Sequence, residues 1–392
     1  MNEPQERLWT LPFVNICASN FAMFFSFYLL LPVLPIYIHD VFHTNGSLAG
    51  IILASYSLAA LICRPFAGYL VDTFSRKPIY LVAYIVFGGL FFGYYAVTTI
   101  TLVAMIRFLH GMSFGIVTTS GNTIAVDILP SRRRGEGIGY FGVTTNLAFA
   151  TGPMAGVFIL ENFNYETVFI SSFCISLVGI LLVLLLRVKP KIPEIKAAPI
   201  SLDRFFLVAA FPQFLIFMFM AFAFGVVTNY IGLYGKTIGI TQGAGHFYAL
   251  IAIGLITARL LTGRFVDRGY LTRFILIGAA LLSVTYFLLS VIPVPPVYFT
   301  SAFIIGAGYG LICPSAQTLF VNMASNHQRG TASGTYLSSW DTGAGAGILL
   351  GGPIAEMFGY SYIFLVSSIL LVVGFFLFLG IGKPHYEKNK LR

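Results

Sequence analysis

Charge is what this 392-residue chain has least of: Asp, Glu, Lys and Arg make up only 9% of it. A soluble globular chain carries roughly 25%. With 57% hydrophobic residues, too little polar surface is left to cover a soluble fold, which excludes a cytoplasmic enzyme. Acidic residues are the scarcer sign, 14 against 23 Lys and Arg, for a net charge of +9. Cysteine is nearly missing too. Cys17, Cys63, Cys174 and Cys313 all fall inside apolar stretches and lack metal-ligand spacing, so they read as small hydrophobes, neither disulfides nor a zinc site.

What the chain has in place of charge is long apolar runs. A bilayer core about 30 Å thick needs ~20 apolar residues per helix. Twelve segments meet that length: Thr10–Ile38, Ser47–Val71, Ile79–Val97, Leu102–Ile128, Gly137–Leu160 and Thr167–Leu186 in the first half. Phe205–Tyr234, Gly243–Val266, Arg273–Ile292, Val297–Met323, Gly330–Met357 and Tyr362–Ile381 follow. No secretory signal precedes the first, which is too long and lacks a small-residue cleavage site.

Basic residues accumulate in cytoplasmic loops, and they sort cleanly here. The N-terminus, the even-numbered loops and the C-terminus hold nineteen of the 23 Lys and Arg, from Arg7 through Arg132, Arg133 and Arg134 to Lys390 and Arg392. The odd-numbered loops hold only Lys236, and Arg64, Arg107 and Arg259 lie within spans. Both termini are therefore expected in the cytoplasm, and the basic balance reports topology. Nucleic acid is not an expected partner; the lipid bilayer is. The basic, Pro-containing stretch 188–204 reads as a cytoplasmic linker between a six-span bundle over 1–187 and another over 205–392. No loop is long enough to house a nucleotide-binding module.

The two bundles are repeats. Shifting the sequence by 195 residues aligns Gly50 with Gly245, Arg64 with Arg259, Gly68 with Gly263 and Asp72 with Asp267. The register continues through Gly115/Gly310, Arg134/Arg329, Gly135/Gly330 and Gly139/Gly334. Two parallel six-helix repeats imply a pseudo-twofold axis along the membrane normal, with binding near the midplane.

The stretch Gly68-Tyr69-Leu70-Val71-Asp72-Thr73-Phe74-Ser75-Arg76-Lys77 after span 2 resembles the G-x-L-x-D-[RK]-x-G-R-[RK] signature of the major facilitator superfamily. Thr73 and Ser75 depart from the pattern, and a degenerate copy, Gly263 to Arg268, follows span 8. The resemblance covers the whole chain. It implies an all-α membrane protein: twelve transmembrane helices in two pseudo-symmetric six-helix bundles, the major facilitator fold. On physical grounds Gly68 permits close helix approach, Asp72 can face the positive end of another helix, and Arg76 can pair with Asp127. The resemblance implies that such contacts latch the cytoplasmic side; a topology and stability element is the alternative. Leu31-Pro32-Val33-Leu34-Pro35 resembles a motif of twelve-spanner drug:proton antiporters, and Gly152-Pro153-Met154-Ala155-Gly156 the G-P-x-x-G core of the antiporter motif. Val157 and Ala148 replace glycines of that motif. Gly-Pro in mid-helix bends a span and exposes backbone for packing. These motifs favour export over import.

A charge near mid-bilayer costs roughly 2.5–3.5 kcal/mol, so each one needs a reason. Arg107-Phe108-Leu109-His110-Gly111 in span 4 is similar to the family's R-x-x-Q-G, whose arginine is implicated in proton coupling; His110 replaces Gln and can titrate near neutral pH. A neutral packing role is the alternative for His110. Asp341 lies about 16 Å into span 11 and is the one carboxylate deep within any span. It aligns with Asn146 of span 5, giving a candidate proton or cation site on one side and a neutral mate on the other; a neutral or helix-bonded structural carboxyl is the alternative for Asp341. Trp340 beside it offers a stacking face. Arg64 and Arg259, eight residues before each motif aspartate, read as gate or packing residues. Asn15, Asn20, Tyr28, Asn229 and Gln317 are candidate cavity positions.

Three motifs fail in context. Gly111 to Gly115 fits G-x-S-x-G, but inside a helix rather than at a strand-to-helix turn. Gly235-Lys236-Thr237 lacks the first glycine of a phosphate loop, Tyr230 standing there. His39, Asp40 and His43 have i,i+4 spacing but belong to a solvated loop, and no metal or cofactor is expected. The expectation is a monomeric, proton-coupled exporter of a small amphipathic compound in a bacterial inner membrane. A proton symporter of a sugar or organic acid, and a non-transporting membrane receptor, are the alternatives.

Overall fold

The computed structural model describes residues 7–43, 46–188, 202–240 and 244–391. Among them the regular structure is helix alone. In order these are α1 (Leu11–Phe42), α2 (Gly46–Thr73), α3 (Arg76–Gly93), α4 (Ile100–Ile128), α5 (Arg134–Asn162) and α6 (Tyr165–Leu185). The second set is α7 (Phe211–Thr237), α8 (Ala244–Phe265), α9 (Leu271–Val291), α10 (Pro295–Asn322), α11 (Arg329–Phe358) and α12 (Tyr360–Leu377). A short α13 (Lys383–Asn389) ends the chain. All twelve expected spans are helices.

In lipid every backbone polar group must find its partner within the segment, which leaves helix as the economical solution for such apolar runs. Ten of the helices are long and apolar enough to cross a bilayer. The other two are special. α8 keeps a shorter apolar stretch, His246–Thr262, and α11 is diluted by Gly, Ser, Thr and Asp341. Boundaries shift by a few residues where local chemistry decides. Thr99 Oγ1 accepts from Leu102 N at 3.3 Å to start α4, and Asn164 Oδ1 accepts from Thr167 N at 2.9 Å to start α6. Such caps satisfy amides that lack an intrahelical acceptor. The segment from Phe205 is irregular until α7 begins at Phe211, with Pro212 in its first turn, where its missing N–H costs nothing.

The chain forms two compact units. The first contains α1 to α4, α6, α5 from Thr144 onward and residues 328–334 at the start of α11. The second contains α7 to α10, α12, α13, the rest of α11 and residues 132–143 at the start of α5. The units thus follow the two sequence halves except where α5 and α11 begin. Most of the expected linker, 189–201, lies outside the described residues.

Within each unit the repeat is visible as packing. α1 packs on α6, α2 on α4 and α3 on both α4 and α6; α7 packs on α12, α8 on α10 and α9 on both α10 and α12. The register is retained residue by residue. A methyl group on Gly111 would collide with the Tyr56 carbonyl, and one on Gly306 with the Ile251 carbonyl. Both residues of that second pair sit 195 positions after those of the first. Lipid tails are as apolar as Leu, so close backbone approach of this kind, rather than hydrophobic burial, holds membrane helices together.

Candidate functional site

Four charged residues of the first unit, Asp72, Arg76, Asp127 and Arg329, gather at the ends of α2, α3, α4 and α11. Asp72, on the last turn of α2, accepts hydrogen bonds from Gly330 N (2.8 Å), Thr331 N (2.7 Å) and Thr331 Oγ1 (2.9 Å). Those amides are the first of α11, so a carboxylate sits on the positive end of a helix, where unsatisfied N–H groups favour an anion. Gly68 makes the approach possible: a Cβ there would lie 3.0 Å from Thr331 Cα and 3.1 Å from the Gly330 carbonyl oxygen. Arg76, 7% exposed, forms an ion pair with Asp127 and lies 3.7 Å from Asp72. Arg329 Nη1 donates to the other oxygen of Asp127 at 2.8 Å. Arg76 Nε donates to the Val71 carbonyl at 3.1 Å, which fixes the guanidinium between the two carboxylates. Sequence reasoning found Asp72, Arg76 and Asp127 but missed Arg329 and Thr331. The alignment of Arg329 with Arg134 held the only available hint.

Arg64 is 3% exposed and donates from Nη1 to Thr118 Oγ1 at 2.9 Å. Its own carbonyl faces Gly334, 3.1 Å from where a Cβ would stand. Arg259 repeats this in the second unit: its carbonyl faces Gly139 at 3.6 Å, and its guanidinium fills the space that a Cβ on Gly142 would need. Both arginines are thus built into helix packing. The Asp267 side chain lies outside the described residues. Of its neighbours in the register, Arg76 becomes Leu271 and Asp127 becomes Asn322, whose Nδ2 donates to Tyr386 Oη of α13 at 3.2 Å.

Arg107 and His110 occupy a buried aromatic enclosure on α4. Arg107 is 5% exposed; its guanidinium stands over the Tyr56 ring at 4.4 Å and Nη2 reaches towards the Leu53 carbonyl at 3.5 Å. A cation on an aromatic face, shielded from water, gains about 2 kcal/mol, enough to offset part of its burial. His110 is fully buried, with the Phe87 and Phe91 rings at 4.5 and 4.6 Å and Tyr56 at 6.0 Å. Neither of its ring nitrogens has a hydrogen-bond partner among the described residues.

Of the candidate cavity residues in the first unit, Asn20 donates from Nδ2 to Thr144 Oγ1 (2.9 Å) and Thr145 Oγ1 (2.8 Å), tying α1 to α5. Asn146, 8% exposed, lies next along α5, its Nδ2 buried without a partner among the described residues. Tyr28 packs edge-on against Phe149 at 5.2 Å. The Gly152-Pro153-Met154-Ala155-Gly156 segment keeps α5 helical throughout. Its two glycines press α5 on α1: a Cβ on Gly152 would meet Tyr28 Cβ at 2.6 Å, and one on Gly156 would collide with the Leu29 carbonyl.

In the second unit Asp341 is half-buried, twelve residues beyond the start of α11, or about 18 Å along the axis. One face of α11 is fully packed: a Cβ on Gly343 or Gly347 would strike the carbonyls of Met218 or Phe222 of α7. Gly345 has nothing within 4 Å of its Cβ position. Residues four apart share a helix face, so Asp341 stands on the open face with Gly345. Trp340 packs on Phe224 (5.2 Å) and Tyr309 (5.7 Å). Asn229 is exposed on α7 and donates to the Gly225 carbonyl at 3.0 Å. Gln317 is 8% exposed on α10. No group of three or more metal-capable side chains converges among the described residues.

The comparisons with known proteins agree with this architecture. A profile of the Major Facilitator Superfamily matches residues 16–347 and 273–392. The chain is 26% identical to Multidrug resistance protein 1 of Bacillus subtilis, with 96% of this chain and 97% of the relative covered. It is 24% identical to the Staphylopine export protein of Staphylococcus aureus, covering 92% and 94% respectively. Among solved structures, the human organic anion transporter MFSD10 shares the fold with a TM-score of 0.81 at 18% identity, covering 96% of this chain and all of that one. The chain belongs to the Major Facilitator Superfamily and is a multi-pass membrane transporter rather than an enzyme.

Proposed function

We propose that this transporter exports a small amphipathic compound in exchange for protons, by alternating access, from the cytoplasm of a bacterium through its inner membrane. It acts as a monomer with both termini in the cytoplasm. The single observation that carries the reading is Asp341: a carboxylate deep in a membrane-spanning helix, on that helix's open face. An intramembrane carboxylate is expensive unless it binds a proton or a cation. Protonation of Asp341 favours one orientation, and binding of a cationic or amphipathic substrate to the ionised form favours the other. The relatives named for drug resistance and export support outward transport.

Arg107 keeps a positive charge buried in the first unit and is proposed to take part in coupling. His110, enclosed by Phe87, Phe91 and Tyr56, has no hydrogen-bond partner on either ring nitrogen among the described residues, so proton carriage is assigned to Asp341. Asn20, Tyr28, Asn146, Asn229, Gln317 and Trp340 are proposed to line the substrate path. The Asp72–Arg76–Asp127 cluster, with Gly68, Arg64, Arg259 and Asp267, is proposed to gate it: Asp72 must release the first turn of α11 for the gate to open. A proton crossing 100 mV supplies about 2.3 kcal/mol, which is the driving force available to such an exchanger.

Reconstituted proteoliposomes loaded with a pH dye test the reading. Adding a fluorescent lipophilic cation on the substrate side should release protons from the lumen as the dye enters. Entry of protons together with an added sugar or organic acid would make the chain a symporter, and binding without flux would make it a receptor.

A further inference from the structure

The surfaces beside α2 and α8, related by the 195-residue register, differ in chemistry. On the first, the Phe205 ring of the connecting segment packs beside Phe66 of α2 at 5.6 Å and Tyr69 at 5.1 Å, leaving Phe66 55% exposed. Arg204 brings a guanidinium over Tyr69 at 5.9 Å, and its carbonyl accepts from Thr331 Oγ1 at 3.0 Å. The chain itself therefore supplies both an apolar plug and a cation there.

The groove beside α8 has a volume of about 430 Å³ and is lined by Tyr140, Leu260, Leu261, Phe265 and Arg268. Leu261 is the counterpart of Phe66 and is 68% exposed. Here the cation is built into the wall: Arg268, the counterpart of Thr73, holds its guanidinium over Phe265 at 5.6 Å. What fits this lining is a molecule with an apolar chain and an anionic group.

The lining is also ordered by depth. Leu260 and Leu261 lie within the apolar run, Phe265 ends α8 and Arg268 follows in the next turn. Eight residues of helix span about 12 Å, enough to pass from hydrocarbon into the headgroup layer. Aromatic residues mark that boundary, and basic pockets at the cytoplasmic face take acidic headgroups. Nineteen of the chain's 23 basic residues mark this end of the spans as cytoplasmic.

We infer that the groove beside α8 binds one anionic phospholipid of the cytoplasmic leaflet, its phosphate on Arg268 and an acyl chain along Leu260 and Leu261. This site is independent of what the protein exports.

The test titrates the full-length protein in detergent with phosphatidylglycerol, phosphatidylcholine or glycerol 3-phosphate, counting bound lipid by native mass spectrometry. Wild type should hold one phosphatidylglycerol about five-fold more tightly than phosphatidylcholine, or ~1 kcal/mol. Arg268→Gln should abolish that preference and Arg268→Lys should retain it, while Leu261→Trp, which fills the groove, should weaken both lipids. Arg273→Gln, which removes a nearby guanidinium stacked on Tyr270, should leave the preference intact. The inference is overturned if Arg268→Gln keeps the preference, if Arg273→Gln removes it equally, or if glycerol 3-phosphate displaces the lipid.

Discussion

The two halves of this transporter pack alike and differ in charge. Gly111 against Tyr56 and Gly306 against Ile251 are the same contact 195 residues apart, and so are Arg64 against Gly334 and Arg259 against Gly139. At the same register, however, Arg107 and His110 of the first half become Ala302 and Ile305, both fully buried. Arg76 and Asp127 become Leu271 and Asn322, whereas Asn146 becomes Asp341. Backbone approach must be kept in both repeats, because small-residue packing is what holds membrane helices together. Ionisable groups are expensive there; Arg64/Arg259 and Asp72/Asp267 are kept in both copies, but Arg107, Arg76, Asp127 and Asp341 each stand in one. The pseudo-symmetry therefore describes the scaffold, and its breaches mark the proposed machinery.

The comparison can be broken at four depths. The largest effect belongs to the shared packing: Gly111→Val and Gly306→Val should each cost about 3 kcal/mol or more, because backbone cannot yield. Both variants should lose expression and thermal stability together; loss in only one would show that the halves are not equivalent scaffolds. Next comes the charge cluster present in one half. Arg76→Ala should cost about 2–3 kcal/mol in thermal unfolding, less than the 3–5 of a fully buried pair, because Asp127 retains Arg329 and is 19% exposed. The double variant with Asp127→Ala should be less damaged than the sum of the singles, by 0.5 kcal/mol or more. Strict additivity would remove the pairing.

At the counterpart of Asp127, Asn322→Ala loses one hydrogen bond to Tyr386 and should cost about 1 kcal/mol, with flux unchanged. A transport defect as large as that of Arg76→Ala would make α13 part of the gate. Smallest of all is His110→Ile, which copies the second half into the first. With no hydrogen-bond partner among the described residues to lose, it should change stability by less than ~1 kcal/mol and leave pH-driven flux intact. Loss of coupling in that variant would return His110 to the proton path.

Much of this was legible in the sequence, for reasons particular to each element. Apolar length and basic loops located the twelve helices, since both are local properties of the chain. α11 reads as an apolar run despite its Gly and Ser content, and the alignment of Arg134/Arg329, Gly135/Gly330 and Gly139/Gly334 supports it. Asp72 facing a helix start was an available expectation, but which helix was not, because that depends on chain folding over more than 250 residues. Arg329 on Asp127, Phe205 on Phe66 and the enclosure of His110 by Phe87 and Phe91 were illegible for the same reason. Gly345 beside Asp341 carried no signal in a glycine-rich run, and only the packed carbonyls opposite Gly343 and Gly347 reveal which face is open.

The role of Asp341 is the central claim, and one measurement bears on it most directly: pH-driven flux of a lipophilic cation in proteoliposomes containing wild type or Asp341→Asn. Wild type should accumulate the dye against its gradient when the lumen is acidified. Asp341→Asn should keep its fold and equilibrate the dye without responding to the pH difference. Accumulation by Asp341→Asn at the wild-type rate would contradict the account and move the coupling site elsewhere in the chain.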